Sequence, residues 1–240
     1  MFLFNKHKKD SDHTDYIVVK DNSYSSVMEG YNRLKDNILY LNADGQNKVL
    51  QIESSWAGEG KTTIVCNLAV SLGLTDKKVV VVDLDFRKPR VQQRLNISIE
   101  KGISEYMLGS LSKQEIIKKT EYKNVDAVTR GGEIHNASLV LVSEKFKKLI
   151  NELKEEYDYV LLDCAPVLQV SDYIHISQIS DGVIFVVAYA STTRNQVYEA
   201  VKELKKNGAK LLGTVLSMYD AKKTKHFTPY VDHHKQDFEV

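Results

Sequence analysis

Long apolar runs, cysteine, proline and net charge are all scarce in this chain. No stretch of about 18 apolar residues occurs, so no membrane-spanning helix is expected. The opening residues, from Met1 to Lys9, form too short an apolar tip for a secretory signal. The expectation is a cytoplasmic chain recruited to the inner face of a membrane through an adaptor, with the small tip read as a disordered end. The two cysteines, Cys66 and Cys164, lie in apolar surroundings and are not a spaced pair. That excludes a disulfide framework and fits free thiols in a reducing compartment. The three prolines stand at positions 89, 166 and 229, so the internal helices are uninterrupted. A formal net charge of +1 supplies no basic field for nucleic acid, and no nucleic-acid partner is expected.

What the chain does have is 42% apolar residues in 240, enough for one sizeable α/β core. Residues 1–22 are polar and of mixed charge, and read as a flexible lead. Residues 23–218 read as one domain, and residues 219–240 as a mobile polar tail. Val27, Tyr31, Leu34, Ile38 and Leu41 recur at helical steps. Apolar strands are expected at Val49 to Ile52, Val79 to Val82, 124–129, 159–163, 183–188 and 211–216. Helices are expected at 64–72, over Phe146, Leu149, Ile150, Leu153 and Tyr157, and over Val197, Ala200, Val201 and Leu204. Residues 102–119 read as two short helices, the second opened by Ser112 and Glu115 at capping-box spacing. Wholly apolar strands separated by helices predict a parallel sheet covered on both faces.

Residues 52–63 read Ile-Glu-Ser-Ser-Trp-Ala-Gly-Glu-Gly-Lys-Thr-Thr, between an expected strand and an expected helix. This is a phosphate-binding loop in which Ser55 takes the usual first glycine position. Backbone N–H groups of Gly58, Glu59, Gly60, Lys61, Thr62 and Thr63 can wrap a polyphosphate at a helix start. Lys61 can reach the β- and γ-phosphates, and the Thr62 hydroxyl can ligate Mg²⁺. Two apolar strands end in carboxylates, Asp83 with Asp85 and Asp163, and in a doubly wound sheet both ends face such a loop. Three converging acids suit Mg²⁺, which takes few carboxylates and several phosphate or water oxygens.

The order Gly58-Glu-Gly-Lys-Thr-Thr63, then Asp83-Leu-Asp-Phe-Arg-Lys-Pro89, then Asp163-Cys-Ala-Pro166 resembles the cytoplasmic bacterial tyrosine kinases of capsular and exopolysaccharide synthesis. The likeness runs from about residue 24 to residue 217. It implies a three-layer, doubly wound, mostly parallel sheet of the P-loop NTPase (MinD/ParA-like) architecture, with ATP and Mg²⁺ as cofactors. It implies that Lys61, Asp83, Asp85 and Asp163 are catalytic, and that Thr62, Asp83 and Asp163 hold the metal. Asp83 would also orient or deprotonate the incoming tyrosine, and Arg87 would either neutralise phosphate charge or form a salt bridge under the loop. Ser217 stands where the last strand usually offers an Asn near the adenine.

The resemblance further implies activation by the cytosolic tail of a transmembrane polysaccharide co-polymerase of the chain-length-determinant type. It implies ring-like self-association and a cognate tyrosine phosphatase. The usual ring-contact arginines are replaced by Asn32 and Lys35 after Glu29, and Asn136-Ala-Ser-Leu139 replaces Asn-Pro-Ser-Glu. In the tail Tyr230 is the phospho-acceptor candidate. His226, His233, His234 and the Lys222, Lys223, Lys225 patch read as solvated surface. The cell-division and partitioning ATPases are a second candidate group, but their signature Lys early in the loop is Trp56 here. A nucleotide-binding regulatory module of polysaccharide export is a third.

Overall fold

The alternation of apolar strands with helix-period segments produces a seven-stranded sheet between two helical layers. The computed structural model describes residues 16–19 and 26–219. In chain order, α1 (Ser26–Leu41) leads to β1 (Val49–Ser54), α2 (Lys61–Gly73), β2 (Val79–Asp83) and the short α3 (Val91–Arg94), α4 (Ile103–Leu108) and α5 (Lys113–Ile116). Then follow β3 (Ile117–Lys119), β4 (Val125–Val128), α6 (Ala137–Val142), α7 (Glu144–Glu156), β5 (Tyr159–Asp163), α8 (Asp172–Ile176), β6 (Gly182–Ala188), α9 (Arg194–Lys206) and β7 (Leu211–Ser217). The strand order is β3-β4-β2-β5-β1-β6-β7, parallel throughout except for β3 against β4.

Side chains alternate across the central strands and build a core on each face. Val79, Val81, Leu161, Leu50 and Ile52 pack with Val65, Leu68, Ala69 and Leu72 of α2. Val80, Val82, Val160 and Leu162 pack with Phe146, Leu149, Ile150 and Leu153 of α7. Ser143 caps α7, its Oγ accepting the Phe146 N–H at 3.2 Å, as the sequence led us to expect. Cys66 and Cys164 are buried free thiols. Among the described residues no helix is long and apolar enough to cross a membrane.

Four expectations change. Residues 16–19 are packed rather than loose: Ile17 and Val19 enter the core, and Val18 N–H donates to Asn67 Oδ1 at 2.8 Å. The second of the two helices expected within 102–119 stops at Ile116, and residues 117–119 form the antiparallel edge strand. Strand β7 is half-exposed along most of its length, because β6 is its one described neighbour. Tyr219, assigned to the mobile tail, stacks edge-on against Tyr189 with ring centroids 5.2 Å apart.

Candidate active site

The buried strand β1 delivers the chain to the loop, and α2 begins at Lys61. Gly58 and Gly60 hold φ of 86° and 95°, a region that strains any residue with a Cβ. A Cβ on Gly58 would meet nothing within 4 Å, so the space over the loop is open there. The first turn of α2 presents the N–H groups of Lys61, Thr62 and Thr63, which have no helical acceptors. Lys61 is only 7% exposed, and its Nζ donates to Ser54 Oγ at 2.9 Å. Ser54 Oγ in turn donates to the Trp56 carbonyl at 2.8 Å.

Glu59 does more than offer a backbone N–H. It is buried, its Oε2 accepting the Ser55 N–H at 2.9 Å and its Oε1 accepting the Thr192 hydroxyl. Its carbonyl accepts the Ser217 hydroxyl at 2.6 Å. Ser217 therefore braces the loop from beneath, beside Gly60, its hydroxyl donating to the Glu59 carbonyl. Sequence reasoning missed Ser54 and Thr192, since short polar residues carry no pattern until the fold brings them to the loop.

The two strand-end acids meet as expected. Asp83 and Asp163 are register partners in the adjacent parallel strands β2 and β5, and both are buried. Asp163 Oδ2 accepts the Thr62 hydroxyl at 2.7 Å. Asp83 Oδ2 accepts the N–H groups of Arg90 and Val91 at 3.0 and 3.1 Å, at the start of α3. The Oδ1 atom of each is buried without a hydrogen-bond partner. Burial, opposed by the Thr62 hydroxyl and the Lys61 charge, leaves Asp163 raised to about 6. Burial, reinforced by the charge of Asp163, pushes Asp83 well above the usual carboxylate range. Two buried carboxylates, each with an orphan oxygen, beside a hydroxyl form a donor set that fits a hard cation such as Mg²⁺.

Asp85 differs from expectation: it is half-buried, and its Oδ1 accepts the Lys88 N–H at 3.0 Å. Among the described residues no three acidic, His or Cys side chains close into a metal cage. Asp85 thus flanks the pair through its charge, which raises both Asp83 and Asp163. Of the two roles expected for Arg87, the salt bridge is present, its guanidinium gripping the buried carboxylate of Asp172 at the start of α8.

One buried acid was missed. Glu53 Oε1 accepts Gln51 Nε2 at 2.7 Å, and burial lifts its carboxyl to about 8, so it sits neutral behind the loop at pH 7. Its signal was available as a lone acid in the strand Val-Leu-Gln-Ile-Glu-Ser. On α1, Glu29 pairs with Arg33 one turn on and Lys35 with Asp36. Tyr230, the three tail histidines and the tail lysine patch lie outside the described residues.

The model of the AAA domain family matches residues 47–213. The chain is 28% identical over 214 residues to the putative tyrosine-protein kinase CapB of Staphylococcus aureus, covering 89% of this chain and 94% of that one. It is 31% identical over 189 residues to the tyrosine-protein kinase YwqD of Bacillus subtilis, covering 79% and 80%. Some relatives are longer, and the chain spans 27% of one of them. Among solved structures, the chimerical protein CapA2B2 superposes with a TM-score of 0.80 at 30% identity, covering 84% of this chain and 88% of that one. The septum site-determining protein MinD from Pyrococcus horikoshii, complexed with Mg-ADP, superposes at 0.61 and 26%, covering 71% and 70%.

Proposed function

We propose that this chain, which belongs to the AAA domain family and to the tyrosine-protein kinases that include YwqD of Bacillus subtilis, transfers the γ-phosphoryl group of Mg-ATP to protein tyrosine in capsular or exopolysaccharide assembly. The observation that carries the reading is the pair of orphan carboxylate oxygens on Asp83 and Asp163, set beside Thr62 with Lys61 in the same loop. A partitioning-type ATPase would share this site; Trp56 in place of that group's loop lysine favours the kinase.

Phosphoryl transfer asks a protein mainly for positioning and charge neutralisation. Lys61 and the N–H groups of the loop and the α2 start would hold the triphosphate. Thr62, Asp83 and Asp163 would hold Mg²⁺, which neutralises charge on the phosphate oxygens when bound. Glu59, fixed to Ser55, Thr192 and Ser217, keeps the loop in its cradle shape. The phenolic oxygen forms a bond to the γ-phosphorus, the bond from that phosphorus to the β,γ-bridging oxygen breaks, and ADP leaves. The phenolic proton passes to the Asp83 carboxylate. A carboxylate is a weak base toward a phenol of pKa about 10, so this transfer runs late.

The partners we assign are the cytosolic segment of a transmembrane co-polymerase, further copies of this chain, and a cognate phosphatase. Tyr230 is assigned as the acceptor, and an adaptor as what holds the chain at the inner membrane face. The test is labelled ATP with full chain and the membrane partner's cytosolic segment. Label on tyrosine is expected, with Lys61→Met losing about 100-fold or more. Free phosphate alone would make the chain an ATPase, and bound but unreacted nucleotide would make it a regulatory module.

A further inference from the structure

Trp56 is the chain's one tryptophan, and the mechanism above leaves it unused. It stands 39% exposed in a loop whose other residues are small or polar, while Glu59 three positions on is 4% exposed. The two side chains divide the loop: Glu59 turns inward to Ser55 and Thr192, and the indole turns outward. The Trp56 backbone is not free to drift. Its carbonyl accepts the Ser54 hydroxyl, and that hydroxyl accepts the Lys61 ammonium, which ties position 56 to the end of the loop where Lys61 reaches the β- and γ-phosphates. Beside it runs the segment leaving Asp163, with the Val167 and Leu168 N–H groups bonded to the Ser54 and Ser55 carbonyls at 3.0 and 3.2 Å. Leu168 is half-buried there. The open space over Gly58 leaves the approach clear.

A nucleophile in line with the leaving group must arrive from beyond the γ-phosphate. Donors for the phosphates already come from Lys61 and the α2 start, so what the indole adds at that edge is an apolar, π-bearing face. Such a face pairs with another aromatic ring in offset-stacked or edge-on geometry. Resting on the kinase reading, we infer that Trp56 is the acceptor-selecting residue of this site: its exposed face receives the phenol ring of the incoming tyrosine and turns the hydroxyl toward the γ-phosphate.

The experiment uses the full chain with the membrane partner's cytosolic segment, Mg-ATP and a synthetic peptide of residues 224–235, which carries Tyr230. Trp56→Ala is expected to raise the peptide KM about three- to tenfold, with KM for ATP and peptide-independent ATP hydrolysis unchanged within about twofold. Trp56→Phe, which keeps an aromatic face, is expected to recover most of the loss. Because the indole is unique, its emission reports directly. With Mg-ADP bound, the peptide should shift the wild-type emission, and the same peptide carrying Tyr230→Ala should not. An unchanged peptide KM in Trp56→Ala, a rise in the ATP KM instead, or a flat emission titration overturns the inference. Absence of phosphotyrosine from the wild type overturns the kinase reading, and the emission titration then judges Trp56 independently of turnover.

Discussion

Aspartates stand at both ends of this sheet, and the two ends treat them in opposite ways. At the amino-terminal end, Asp181 Oδ2 accepts the Lys48 and Val49 N–H groups at 2.9 and 2.8 Å, and its Oδ1 takes Lys154 at 2.6 Å. Asp158 accepts the Lys78 N–H, and Asp126 accepts Lys119 and the Tyr157 hydroxyl. At the carboxyl-terminal end, Asp83 and Asp163 are buried deeper, face one another across neighbouring strands, and each leaves an oxygen unmatched. A buried unpaired charge is unfavourable unless something outside the chain completes it. The paired aspartates are therefore fasteners of the scaffold, and the unpaired ones are the site.

The sharpest way to break that comparison is to neutralise one acid at each end. Asp163→Asn or Asp83→Asn is expected to reduce phosphotyrosine formation by about 100-fold or more. The melting temperature of the free protein should hold or rise, because a like-charge repulsion between buried neighbours is gone. Asp181→Ala should do the reverse. It strands two backbone N–H groups and a lysine, so stability should fall by about 2–4 kcal/mol in denaturant titration, with turnover per folded molecule intact. Equal destabilisation by both substitutions would erase the distinction.

A smaller effect lies in pH. Burial raises Asp163 from 3.8 to about 6 and Glu53 from 4.5 to about 8. The folded chain thus holds these protons more tightly than the unfolded chain does. Their contribution is fully present below the unfolded values and is lost as pH rises through the folded ones, a window of about pH 4 to 8. Without nucleotide, the melting temperature should decline across that window, and the decline should be shallower in Glu53→Gln. Parallel curves for the two proteins would remove Glu53 from the account.

How much of this was legible before folding depends on the length of the signal. The strands ending at Asp83 and Asp163 and the helices α1, α2, α7 and α9 carry several turns or a full apolar run, enough to show a period. The four- to six-residue helices α3, α6 and α8 and the three-residue β3 are too short to show one. At the site, Lys61, Thr62, Asp83 and Asp163 were readable because strand ends and loop starts fix where they point. The Thr192 link to Glu59 spans 133 positions and the Asp172 link to Arg87 spans 85, so only the closed sheet brings these partners together. Arg87 and Ser217 likewise each found a protein partner that no local pattern announces.

The most direct test is calorimetric titration of a non-hydrolysable ATP analogue into the full chain, with and without magnesium, in wild type and in Asp163→Asn. Strong magnesium-dependent binding to the wild type is expected, with that dependence largely lost in the variant. Analogue binding that ignores magnesium in both proteins would contradict the claim that the unmatched oxygens of Asp83 and Asp163 are completed by a metal-bound triphosphate.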